Sequence, residues 1–400
     1  KMRIIEASTG KVMHEVQHGG WVRSVAWSPA GDLVATGSGD DKKMCIIDAW
    51  SKEERKQAKE VSELRGISLR WVFNDMTTTA AKGLEDYQTR QAQRLYPLAK
   101  ETREKRYVPF CTQEEVHAAF GRHTEVLRAQ KRPISSGHRR PSLIKDDIGA
   151  TEYWKTLFEE DVSKLSFPYL AEILACGKHS AGKHKRCPRD GKLGCSIVDA
   201  VYEEGDSGPA NVFMSWCWDY MLLDIITALR RWHNRQANKE VHYHVWWCFC
   251  CNNQYRLLVD GQSVSQSPEQ LKKIFGQRLE AIGHMISVVS LVDDHLRYIE
   301  RIWCIYEVFV CKEQPRIKFE TIFPESMERL ILNLNDFLPQ LTNLNVDRAQ
   351  ATEETDRLAI LKLMKDAGGS EAVNDKMKAA LAKELTTACA DAITGALNVR

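Results

Sequence analysis

In RIWCIYEVF, residues 301–309, Trp303 and Glu307 stand four apart. On a helix that spacing puts the indole and the carboxylate on one face, about a turn from each other. An aromatic ring beside a carboxylate excludes water and makes a helical surface into a site. Two more carboxylates, Asp293 and Asp294, follow directly on an apolar run, ISVVSLV at 286–292. Burial beside aromatic rings raises the pKa of Glu307, and the expectation is a value short of neutrality. The plainer reading is a solvated glutamate in mid-helix beside a tryptophan that packs the core.

A second cluster has the residue types of a metal site. Cys176, His179, His184, Cys187 and Cys195 crowd into CGKHSAGKHKRCPRDGKLGC. Thiolate and imidazole ligands suit a closed structural zinc. The spacing follows none of the common zinc patterns, and a basic, exposed loop is the alternative. Nucleic-acid binding by the same run is disfavoured, because no aromatic residues are interleaved for stacking. A thiol nucleophile built from Cys304 and His295 lacks an orienting third group. No glycine-rich phosphate loop is present, which excludes P-loop and kinase chemistry.

These residues need elements to hold them. VFMSW at 212–216 is a short strand ending on Ser215 and Trp216, and Asp219 is expected to cap the helix after it. VHYHVWWCFC at 241–250 is a second strand, ending at Asn252 and Asn253. Ser267, Pro268 and Gln270 open a helix that Gly283 closes. The run at 286–292 is the third strand, the Trp303/Glu307 helix follows, and IKFETIF at 317–323 is the fourth strand. Alternating strands and helices imply a doubly wound α/β unit with a parallel sheet of flavodoxin type. Such sheets bind ligands outside the carboxyl ends of their strands, where Ser215, Trp216, Asn252, Asn253, Asp293 and Asp294 fall.

Around this unit the chain changes character. KMRIIEA at 1–7 returns 42 residues later as KMCIIDA at 43–49. Between the copies stand STGK (8–11), His18, VRSVAWSP (22–29) and LVATGSGD (33–40), which resemble a WD40 repeat with one full blade and the tail of another. One blade cannot cover both its faces. It is read either as a β-hairpin patched onto the next domain or as the last blade of an interaction propeller. Residues 51–128 read as a helical connector, solvated and interrupted at Pro97, with a short strand near ISLRWVF (67–73). Residues 129–150 are linker, with a candidate phosphorylation site at Ser142. Residues 151–210 hold the Cys/His cluster, and residues 324–400 are helices. The last helix is expected to pack back on the α/β unit, with a dimer contact as the alternative.

The α/β motifs resemble a TIR domain. A Phe-x-Ser first strand matches Phe213 and Ser215, and a Trp-Cys-x-x-Glu helix after the third strand matches Trp303, Cys304 and Glu307. The likeness covers residues 211–323 and is closer still, through CPRDGKLGCSIVDA, to TIR-like domains in large multidomain proteins of protists. Asn252 to Ser267 has no TIR-type loop. In TIR proteins that cleave NAD, the glutamate of that helix is catalytic, so the resemblance implies NAD as substrate and Glu307 as catalytic residue. Ser215, Trp216, Asn252, Asn253, Asp293 and Trp303 would then line the cofactor site. Breaking the nicotinamide–ribose bond develops oxocarbenium character, which a carboxylate stabilises.

Composition sets outer bounds. Four hundred residues with 43% apolar and 28% charged content suit two or three globular domains, and a net charge of +2 calls for no polyanion. Twelve cysteines without a signal-peptide pattern suggest reduced thiols in the cytoplasm. No apolar stretch approaches a membrane span. The start within a motif suggests a piece of a longer protein. The expectation is therefore a multidomain signalling protein with protein partners at its WD40 and TIR-like surfaces. It either hydrolyses NAD at Glu307 or acts as a non-enzymatic interaction scaffold.

Overall fold

The structure is a computed structural model that describes residues 2–5, 12–27, 33–39, 42, 44–48, 52–102, 161–238, 240–259, 276–324 and 333–397. The linker at 129–150, Ser142 and the helix start at Ser267–Gln270 lie outside the described residues.

The N-terminal region forms two small antiparallel sheets. β1 (Met2–Ile5) pairs with β2 (Val12–Val16). β3 (Val22–Trp27), β4 (Leu33–Ser38) and β5 (Met44–Asp48) make a three-stranded meander. Along β4 the side chains of Val34, Thr36 and Ser38 are buried in alternation, as a pleated strand with one covered face requires. His18 Nε2 lies 2.9 Å from Thr36 Oγ1 and ties the approach of β3 to that face.

The main sheet has six strands: β6 (Arg65–Ser68), β7 (Ser207–Pro209), β8 (Val212–Ser215), β9 (His244–Trp246), β10 (His284–Val288) and β11 (Lys318–Ile322). Their order is β11-β10-β8-β9-β6-β7. The last four in chain order, β8 to β11, are mutually parallel and stand 2-1-3-4 across the sheet. β6 runs antiparallel to β9, and β7 antiparallel to β6, which returns β7 to the direction of the four. The expected all-parallel sheet is thus a mixed one, and its extra strands come from segments read as connector and Cys/His loop. The sheet therefore reaches beyond residues 211–323. Gly66 shows why β6 fits there. A Cβ at this position would come within 2.8 Å of the His244 backbone, so the close pass of β6 over β9 needs glycine.

Within the described part of the connector, the segment from Ile67 to Tyr87 is core rather than solvated, while helix Lys52–Glu63 is mostly exposed. Met76, Ala80, Leu84 and Tyr87 recur at three- and four-residue steps and are buried on one face of the Met76–Thr102 helix, which runs on through Pro97. The strand expected at 67–73 ends at Ser68, whose side chain accepts a hydrogen bond from Arg70 N and starts the helix Leu69–Asn74. Helix Leu222–Arg235 is started by Met221 and Asp224 instead of Asp219: the Met221 amide donates to the Asp224 carboxylate at 3.3 Å. Gly283 closes the helix Gln277–Ile282 as expected, with φ 71° in the left-handed region. The C-terminal helices Glu354–Asp366 and Gly369–Leu397 bury Ile360, Leu361, Met364, Val373, Met377, Leu381 and Leu385 in the same core as the sheet. Among the described residues no helix is long and apolar enough to cross a membrane.

Candidate functional site

The crossover direction reverses between β8, whose next strand lies on one side, and β10, whose next strand lies on the other. In open α/β sheets ligands bind at that switch point, outside the strand ends. Three hydroxyl residues line up there in register: Ser215 of β8 opposite Ser287 of β10, and Ser287 opposite Thr321 of β11. Ser287 Oγ is 2.9 Å from Thr321 Oγ1, and Ser215 Oγ is 2.6 Å from the phenol oxygen of Tyr298. Glu307 reaches the same row from helix Ile302–Glu313, where the Ser215 hydroxyl favours its charged form. All five groups are buried.

Glu307 is 8% exposed. Burial pushes its carboxyl up to about 8, against a smaller opposing pull from the Ser215 hydroxyl. This overturns the expectation of a value short of neutrality. Partial shielding beside aromatic rings would have had that smaller effect, whereas near-complete removal from water penalises the charged form far more. At pH 7 the group is mainly a neutral carboxylic acid.

Around it the strand ends are filled. The indole of Trp216 donates from Nε1 to Cys248 Sγ at 3.2 Å, and Cys304 Sγ donates to the Trp216 carbonyl at 3.2 Å. Phe167 stands edge-on to Trp216, Trp247 and Phe249, with ring centroids 4.4, 5.1 and 4.9 Å away. Such edge-to-face packing is the favoured aromatic geometry and leaves a dense plug. Burial holds the Cys248 thiol up at about 12 and that of Cys304 well above its ordinary value, so neither supplies a thiolate. A small apolar cavity lies near the ends of β10 and β11, lined by Val289, Phe323, Phe337 and Leu385 among others. Glu307 does not line it.

Of the residues predicted for the site, Ser215, Trp216 and Glu307 come together. Trp303 is partly buried against the core. The others point elsewhere. Asn253 donates from Nδ2 to the Gly194 carbonyl at 2.7 Å and accepts from Arg256 N, so it pins a loop and starts a helix. Asn252 closes the turn Cys248–Cys251 with its backbone amide. Asp293 and Asp294 sit exposed at the tip of a tight turn with φ of 48° and 64°. Val292 and His295 bond each other across that turn, and Gln340 holds it by accepting from Leu296 N and donating to the Asp294 carbonyl. Sequence reading missed Tyr298, Ser287 and Thr321. The two hydroxyls inside otherwise apolar strands were the available signal, since buried hydroxyls need partners.

The five zinc candidates do not converge. Cys187 and Cys195 are buried beside Ala200, while His179 and His184 are exposed. Among the described residues no three His, Cys, Asp or Glu side chains are grouped to hold a metal. The loop is held by hydrogen bonds instead: Cys187 N donates to Lys192 O, Gly191 N to Cys187 O, and Lys183 Nζ to Cys176 O. Treatment with a strong chelator is expected to leave the melting temperature unchanged. A fall of several degrees (~2–4 °C per kcal/mol in a unit of this size) would restore a structural metal.

The site thus belongs to a mixed-sheet α/β unit with its switch point closed, in a chain that also carries a β-meander. The chain matches a family model at that meander: residues 10–48 match the WD domain, G-beta repeat. This part is a WD repeat, and it points to protein partners. No curated protein and no solved structure matches the chain.

Proposed function

We propose that this chain is a partner-binding protein in which a WD repeat is joined to an α/β unit of flavodoxin-like, TIR-like strand order that serves as a non-enzymatic scaffold. One observation carries the reading. Glu307, which a TIR-type NAD hydrolase would use as a charged catalytic group, is buried and neutral, and the strand ends beside it are plugged by Trp216, Phe167, Trp247 and Phe249. A neutral acid offers little to a developing oxocarbenium ion. The strand order 2-1-3-4 and the Ser215–Glu307 pair support the TIR-like part of the reading.

The assay is nicotinamide release from NAD by the whole chain at high protein concentration, beside Glu307→Gln. The expected result is no release above that of the variant. Release that disappears in Glu307→Gln would overturn the scaffold. It would install the second reading, NAD hydrolysis to nicotinamide and ADP-ribose, which is favoured by the placing of Ser215 and Glu307 at the switch point.

A further inference from the structure

We infer that the outer edge of β5 takes an additional antiparallel strand from a partner protein, presented as an extended segment of alternating apolar and polar residues. This deepens the partner-binding reading above, on which it rests, by naming the kind of partner.

The template is inside the chain. The copies of KMRIIEA and KMCIIDA put β1 and β5 at the same place in the repeat. β1 carries β2 along its edge, antiparallel, with Met2 opposite Val16 and Arg3 opposite Glu15. Forty-two residues beyond β2 stand residues 54–58, ERKQA, and they lie inside helix Lys52–Glu63. These are strong helix formers without the alternation of VMHEV in β2. The chain's next segment therefore leaves the place unfilled. Among the described residues β5 is paired on one side only, with β4.

An open edge is a row of unpaired amides and carbonyls, and proteins usually guard it with charge, proline, a bulge or a cover. Other edges here carry such guards. β7 is three residues long and ends in Pro209. At β11 the Glu384 carboxylate accepts from Thr321 N at 3.3 Å. β3 has a register break between Val22 and Ser24, with the charged Arg23 inside it. Among the described residues β5 has none of these. It reads MCIID, keeps unbroken register with β4 and carries no charge before Asp48. Met44, 72% exposed, offers an apolar contact to an arriving strand. Strand addition draws its affinity from main-chain hydrogen bonds and its selectivity from alternate side chains. One selectivity detail follows. Arg3 of β1 pairs with Glu15 at 2.7 Å, but its repeat counterpart in β5 is Cys45, so the partner strand should carry a neutral residue where β2 has its acid.

The probe is a labelled synthetic peptide with the sequence of residues 11–17, made with Glu and with Gln at position 15 and titrated into the whole chain. Saturable binding is expected, at least as tight for the Gln form. Amide hydrogen exchange at residues 44–48 should slow about tenfold or more at saturation. A peptide with proline at positions 13 and 15 cannot donate from those sites and should not bind. The inference is overturned by an absence of saturable binding up to about 1 mM, by protection confined to other residues, or by equal binding of the proline peptide. Protection of 44–48 without peptide, rising with protein concentration, would assign the edge to a second copy and also overturn it. NAD turnover is read separately, so failure of the scaffold reading and failure of this one are distinguishable.

Discussion

Glu307→Gln is expected to stabilise the protein by roughly 3–5 kcal/mol at about pH 9, but by under ~1 kcal/mol near pH 5. Glutamine copies the shape of the neutral acid that the fold holds but cannot ionise. The sign follows from the raised folded value. Below the ordinary value of 4.5 the carboxyl is protonated in both states, so its ionisation contributes nothing. Above it the unfolded chain has released the proton and the folded chain has kept it, so each further pH unit removes up to ~1.4 kcal/mol of stability. The loss is complete once the pH passes about 8, where the folded carboxyl ionises as well. Glu320 acts in the opposite sense: His284 and Lys318 hold it at about 2, so its contribution is already fully present above the ordinary carboxylate range and stays constant through this window. Urea melts of both proteins between about pH 5 and pH 9 measure the effect. A wild-type curve that is flat from pH 5.5 to 8.5 or so, parallel to that of the variant, would mean that the carboxyl is not shut away from water.

The same burial marks where sequence reading stops. The strands at β8, β10 and β11 were legible because each is a short apolar run with turn or helix signals around it, and the helix carrying Glu307 was legible by its spacing. β9 was read too long. VHYHVWWCFC is largely buried from Val245 on, and periodicity alone does not separate a buried strand from the helical turn that begins at Cys248. β6 and β7, at four and three residues, are too short to show a period, and their partners lie far along the chain. The closing of the site depends on Phe167 and Tyr298, which approach Trp216 and Ser215 through packing that no local spacing encodes. Asp293 and Asp294 were misread because two consecutive left-handed aspartates turn the chain where a strand end was expected.

Asp199→Ala is expected to destabilise the α/β unit by about 3–5 kcal/mol, the cost of leaving buried cations without their anion. The Asp199 side chain is completely buried and sits between Arg65, 3.0 Å away, and Arg189, 3.4 Å away. Ser62 Oγ donates to both of its carboxylate oxygens at 2.7 and 2.9 Å, and Ser196 Oγ donates to one at 2.7 Å. Arg189 also donates to the Cys251 carbonyl at 2.7 Å, which carries the network to the turn beyond β9. One carboxylate thus joins the end of helix Lys52–Glu63, strand β6, the former zinc candidate loop and the sheet. Ser62→Ala, which removes the shared donation to Asp199 and the bond accepted from Arg189 Nε but no charge, should cost less, about 1–2 kcal/mol. Thermal or urea melts of the two variants rank them, and protease digestion of the 182–198 loop should accelerate in Asp199→Ala ahead of global unfolding. A chain begun at residue 200 should fail to fold for the same reason, since it lacks Asp199, β6 and the Met76–Thr102 helix that the core is built against. If Asp199→Ala cost less than ~1 kcal/mol, or if the chain begun at residue 200 melted cooperatively, the segments before β8 would be appendages and not part of the unit that holds Glu307.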